Sequence, residues 1–138
     1  MRLFLRASLF VWGLFFGLLG LNFLVNPGSA AAGFGLMADG STGLATLRAD
    51  MTAFFLVSAV AAITGAWRYN GDILLVPAAL FGVAFFGRLV SIFGDGTGAD
   101  FWQPMAVEAL SVVLMLLGAK FLPHHHSLAE AEAGSTLS

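Results

Sequence analysis

The chain has 138 residues, about one domain's length, of which 59% are hydrophobic and only 10% charged. Soluble domains carry about 25% charged residues, so the composition excludes a disordered chain, a nucleic-acid binder with a basic face and a water-soluble globule. The net charge is −2 and cysteine is absent, which removes disulfides, thiolate metal sites, iron–sulfur clusters and cysteine nucleophiles.

A membrane-spanning helix needs roughly 20 mostly apolar residues, and four stretches reach that length, at about 3–25, 44–67, 73–93 and 102–122. The expected fold is therefore all-α: a four-helix transmembrane bundle over residues 1–122, followed by a soluble tail over 123–138. No stretch alternates with period two, which argues against a lipid-facing β-barrel. In the first stretch, Arg2 and Arg6 precede an apolar run, and Gly28-Ser29-Ala30-Ala31 resembles a signal-peptide cleavage site. The run, about 7–25, is longer than the ~7–15 residues of a signal core, so it reads as a true span. Asn26-Pro27 ends it, and Pro27 is placed to begin a short helix through Ala32.

Gly33, Gly35, Asp39, Gly40 and Gly43 make the stretch up to residue 43 the longest irregular segment, with Ser41 or Thr42 expected to cap the second span. Tyr69-Asn70-Gly71-Asp72 reads as a tight turn that makes the second and third spans antiparallel neighbours. Residues 94–100 read as a flexible acidic turn. Pro104 falls in the first turn of the fourth span, where its missing N–H costs little. The fourteen phenylalanines are expected mostly to face lipid.

With four spans both termini share a side. Arg2, Arg6, Arg68 and Lys120 fall on that side, and Asp39, Asp95 and Asp100 on the other. The positive-inside rule then places both termini and the 69–72 turn in the cytoplasm. Trp67 and Tyr69 suit the inner interface and Trp102 the outer.

Charged residues within a span cost about 2.5–3.5 kcal/mol each on insertion scales, so they are expected to face the bundle interior and pair. Arg48, Asp50, Arg88 and Glu108 are the candidates, all in the outer half. Arg88 and Glu108 sit about 8–9 Å below the outer boundary at 1.5 Å per residue, and Asn22 approaches the same level. Arg88 and Ser91 share a helical face, as do Glu108 and Ser111. Arg48 and Asp50, two apart, point to nearly opposite sides. The expected arrangement is a central Arg88–Glu108 ion pair, with Arg48 second and Asp50 near the water boundary. Such a layer has three readings: a structural bridge that sets helix register, a cavity whose arginines hold an anionic group, or a proton relay through Glu108 or Asp50.

Gly13 and Gly17 form a GxxxG pattern that permits close helix contact, continued one turn later by Gly20. It serves either packing within the chain or association with another. His124, His125 and His126 are adjacent on a soluble tail and lack a metal geometry. No histidine lies within a span, so axial haem ligation there is not available. No metal, cofactor or catalytic constellation is expected.

Leu47-Arg48-Ala49, Gly87-Arg88-Leu89, Ser91-Ile92-Phe93, Asp95-Gly96 and Pro104 followed by Glu108 together resemble the bacterial membrane family known as domain of unknown function 4345, over roughly residues 3–122. The four-helix plan is also distantly similar to DoxX-type small membrane proteins. The resemblance implies a multi-pass protein of the bacterial cytoplasmic (inner) membrane, with Arg48, Arg88 and Glu108 as part of the family pattern, and implies no activity. The expected function is non-enzymatic: an accessory or assembly subunit of a larger inner-membrane complex, or a homo-oligomer, with membrane lipids and other membrane subunits as partners. The alternative is a binding or carrier module for a lipid, quinone or small anion that uses the Arg/Glu layer.

Overall fold

Five α-helices and one short 3-10 turn make up the described residues, 1–96 and 98–124, of the computed structural model, with no strand among them. They are α1 (Arg2–Val25), α2 (Pro27–Ala32), α3 (Gly40–Arg68), the 3-10 turn (Asp72–Leu74), α4 (Leu75–Gly94) and α5 (Trp102–Phe121). Four helical stretches, Arg2–Val25, Gly40–Arg68, Asp72–Gly94 and Trp102–Phe121, are long and apolar enough to cross a membrane. The chain thus has the form of a multi-pass membrane protein. The expected tail lies outside the described residues from position 125 onward, His125 and His126 included.

Helix ends follow local chemistry. The Asn26 N–H closes α1 on the Asn22 carbonyl at 2.8 Å, and Pro27, whose missing N–H is harmless at N1, opens α2. The second span begins earlier than expected. Gly40, at φ 61°, turns the chain into α3, a backbone region that glycine enters without a Cβ penalty. Ser41 and Thr42 therefore lie inside the first turn instead of capping it, and Asp39 at the cap position makes no side-chain cap bond. With 29 residues, α3 rises about 43 Å against roughly 30 Å of hydrocarbon, so its polar first third has length to spare beyond the apolar layer.

Packing divides the bundle into two closely packed pairs, α1 with α3 and α4 with α5, joined by fewer contacts. The small residues of α1 make the first pair possible. A Cβ at Gly13 would meet Ile63 Cγ1 at 2.6 Å and the Ala59 carbonyl at 3.1 Å, and one at Gly20 would meet Leu56 at 2.9 Å. A Cβ at Gly17 would stand 3.6 Å from the Ala59 methyl, an ordinary van der Waals contact. Opposed residues run in reverse order along the two helices, so the pair is antiparallel.

Two buried clusters tie the pairs together. At one end Leu74, fully buried, is seated in a notch between Gly65 and Gly118, beside Leu9. Nearer the other end Phe16, Phe23, Phe55 and Phe81 are buried together: Phe16 and Phe23 stack on Phe55, and Phe81 meets Phe16 at a tilt with centroids 4.7 Å apart. These four rings form the centre of the bundle, not its lipid-facing bulk. Edge-to-face and offset pairs of this kind add about 0.5–1.5 kcal/mol beyond burial.

One end of the bundle gathers the start of α1, the 69–72 turn and the exit from α5. Arg6 Nε donates to the Ala66 carbonyl at 2.8 Å, its guanidinium lies 3.6 Å over the Tyr69 ring, and Arg6 Nη1 donates to the Tyr69 hydroxyl. The Gly71 N–H donates to the Pro123 carbonyl at 2.9 Å, and His124 Nδ1 lies 2.7 Å from Asp72 Oδ1. Gly71 is required here, since a Cβ would stand 2.7 Å from the Ala119 carbonyl.

Candidate functional site

The polar side chains near the other end do not form one hydrogen-bonded network among the described residues. Arg88, on α4, and Glu108, on α5, meet within the chain: Arg88 Nε donates to Glu108 Oε1 at 2.7 Å. The two partners differ in exposure, with 40% of the Arg88 side chain accessible against 10% of that of Glu108. Among the described residues this is the guanidinium's one hydrogen bond, and Glu108 Oε2 is buried and accepts none.

Arg48 does something else. Its Nε donates to the Leu24 carbonyl at 3.0 Å, one of the carbonyls that the end of α1 leaves without a helical partner. A cation at a helix C-terminus is also favoured by the macrodipole. Arg6 does the same for α3 through Ala66, so each helix of the α1–α3 pair supplies an arginine to the other's C-terminal turn. Spacing alone does not separate this use of Arg48 from an ion pair with a carboxylate. The signal that would have found it is the antiparallel pairing of α1 with α3, which sets Arg48 near the end of α1.

Asn22 and Asp50 are exposed, and neither side chain makes a hydrogen bond or ion pair among the described residues. Ser111 is buried at the α1–α5 contact, where its Oγ accepts from Trp12 Nε1 at 3.0 Å and donates to the Val107 carbonyl at 2.6 Å. Ser91 is exposed and lines, with Arg88, a small cleft of about 120 Å³.

Arg88 also lines a larger cleft of about 800 Å³, which the sequence did not reveal. Its walls are the segment from Ala32 to Gly35, the turn from Gly98 to Phe101, and Gln103, Pro104 and Val107 at the start of α5. Only the fold brings the loop after α2 to the mouth of α5. Because Glu108 engages Nε alone, the two terminal nitrogens keep their donors uncommitted among the described residues. A planar fork of two donors matches a carboxylate or phosphate edge.

A second opening lies lower on the bundle, an apolar groove of about 510 Å³ between α1 and α5 lined by Phe4, Ala7, Val11, Trp12, Leu110 and Leu114. A third, of about 480 Å³, lies between α3 and α4 and includes Val57, Val60, Ile73 and Val76. Among the described residues no group of three His, Asp or Glu side chains has a metal-holding arrangement. Compared with family models, with curated proteins and with solved structures, the chain matches none.

Proposed function

We propose that this protein is a non-enzymatic membrane binding module that holds an oxyanion-bearing ligand at Arg88. The observation that carries the reading is the one-sided Arg88–Glu108 contact: the carboxylate holds the guanidinium through Nε alone, and Arg88 lines an 800 Å³ cleft. That volume falls within the range of about 300–1,000 Å³ typical of small-molecule sites. Glu108 acts as a positioning residue, and its competition for Arg88 is limited to one nitrogen. The distribution of Arg2, Arg6, Arg68 and Lys120 against Asp39, Asp95 and Asp100 supports an orientation with both termini in the cytoplasm, so that the cleft opens on the outer side of a bacterial inner membrane.

The test is native mass spectrometry of the full chain released from lipid nanodiscs that contain phosphatidylglycerol. Wild type is expected to carry a discrete lipid adduct that Arg88→Gln loses and Glu108→Gln largely keeps. Adducts of equal abundance in wild type and Arg88→Gln would sink the proposal.

A second reading is favoured by the α3–α4 groove. An exposed apolar trough of this size beside a lightly packed helix seam suits the helix of another subunit, or of a second copy, as an accessory or assembly protein would require. The same spectra test it, since co-released chains or a defined oligomer would appear at higher mass. Gly13 and Gly20 do not support it, because their close approach is used within the chain.

A further inference from the structure

We infer that the occupant of the Arg88 cleft is a zwitterionic phospholipid, its phosphate held by Arg88 and its primary ammonium by Asp100, with an acyl chain in the α1–α5 groove. This rests on the oxyanion reading above and adds the ligand's class.

The charge of the lining comes first. Among the described residues it holds one cation, Arg88, and one anion, Asp100, with the Gln103 amide nearby. The Asp100 carboxylate is exposed and makes no hydrogen bond or ion pair among the described residues, its backbone carbonyl alone accepting from the Gln103 N–H. A simple anion drawn to Arg88 would share the cleft with the charge of Asp100, and a simple cation drawn to Asp100 would share it with Arg88. A headgroup that carries both charges satisfies both walls. A primary ammonium also donates a charge-assisted hydrogen bond to the carboxylate.

Continuity of the apolar surface decides between a lipid and a free zwitterion. Val107, Leu110 and Leu114 fall on one face of α5 at the i, i+3, i+7 spacing. Val107 lines the headgroup cleft, and Leu110 and Leu114 line the α1–α5 groove. Val107 and Leu110 are 37% and 60% exposed, so the track between the two openings is not covered by the chain. A molecule with a polar head in the cleft has a greasy path about 10 Å long from Val107 to Leu114 at 1.5 Å per residue. A soluble zwitterion would leave that path unused.

The experiment places the full chain in nanodiscs of phosphatidylcholine with equal amounts of phosphatidylethanolamine and phosphatidylglycerol of the same acyl chains. Adducts retained after release are weighed by native mass spectrometry. Wild type is expected to retain phosphatidylethanolamine over phosphatidylglycerol by about tenfold, the worth of one charge-assisted hydrogen bond. Asp100→Asn, in an exposed turn where folding is not at stake, is expected to abolish or reverse that preference. An unchanged preference in Asp100→Asn, or equal retention in wild type, overturns the assignment. If phosphatidylglycerol is retained and then lost in Arg88→Gln, the oxyanion site stands and the zwitterion falls. If no adduct depends on Arg88, both fall. Water-soluble glycerophosphoethanolamine binding as tightly as the intact lipid would overturn the lipid in favour of a soluble ligand.

Discussion

Arg88 and Glu108 share one hydrogen bond unequally, and the imbalance sets what each substitution does. Removing the guanidinium leaves Glu108, 7% exposed, as a buried carboxyl without its cation, whereas removing the carboxylate leaves an arginine that already reaches a cleft. Arg88→Leu is therefore expected to destabilise by about 3–5 kcal/mol, and the double variant Arg88→Leu, Glu108→Leu by much less. Thermal unfolding of wild type, each single variant and the double variant in one detergent checks this; single-variant losses that simply add in the double variant would show that the pair contributes no coupling. Tyr69 is another residue whose role is set by its surroundings. It holds φ 53° at the end of α3, a conformation that costs a side chain about 1–2 kcal/mol, and Arg6 lies over its ring. Tyr69→Gly is expected to be more stable than Tyr69→Ala by about 1 kcal/mol, since alanine keeps the strain and loses the contact. Unfolding midpoints of the two variants in the other order would refute this.

Among the helices, the α1–α3 seam is the element most sensitive to a single methyl group. Gly13→Ala places a Cβ 2.6 Å from Ile63 and 3.1 Å from a backbone carbonyl, and a carbonyl in a helix cannot step aside. The expected cost is about 1–3 kcal/mol. Gly17→Ala meets only the Ala59 methyl at 3.6 Å and is expected to be near neutral. Paired unfolding curves distinguish the two, and equal sensitivity at both sites would mean that the seam is looser than this spacing requires. The same seam explains the two arginine caps. Antiparallel helices in close contact bring the start of each near the end of the other, so Arg6 and Arg48 find carbonyls across the pair.

At the scale of the molecule, the two ends of the bundle differ in chemistry. One gathers Arg6, Tyr69, Asp72, Pro123 and His124; the other holds the Arg88 cleft and the acidic turn. The chain has no cysteine, so a single introduced thiol reports its own side. In right-side-out vesicles a membrane-impermeant maleimide is expected to label Ser29→Cys, near the loop after α2, and to leave Arg68→Cys unlabelled until the membrane is opened. The reverse pattern would invert the proposed orientation and place the cleft on the cytoplasmic side.

Apolar run length by itself determined the four long apolar helices, because roughly 20 mostly apolar residues are needed to cross hydrocarbon whatever they pack against. Proline and glycine placed the α1 end, the Pro27 start and the 69–72 turn for equally local reasons. The Arg88–Glu108 partnership was legible because two opposite charges at matched depth on adjacent antiparallel spans have few other partners. Arg48, Asn22 and Asp50 were not separable from it by depth, since depth says nothing about which helix lies beside which. Pairing of α1 with α3 decided that Arg48 caps Leu24, and that the Gly13–Gly20 edge is spent inside the chain. Helix adjacency also set four phenylalanines at the centre and brought the loop after α2 to the start of α5. The cleft is made by segments more than fifty residues apart, and such a surface exists only once the helices have met.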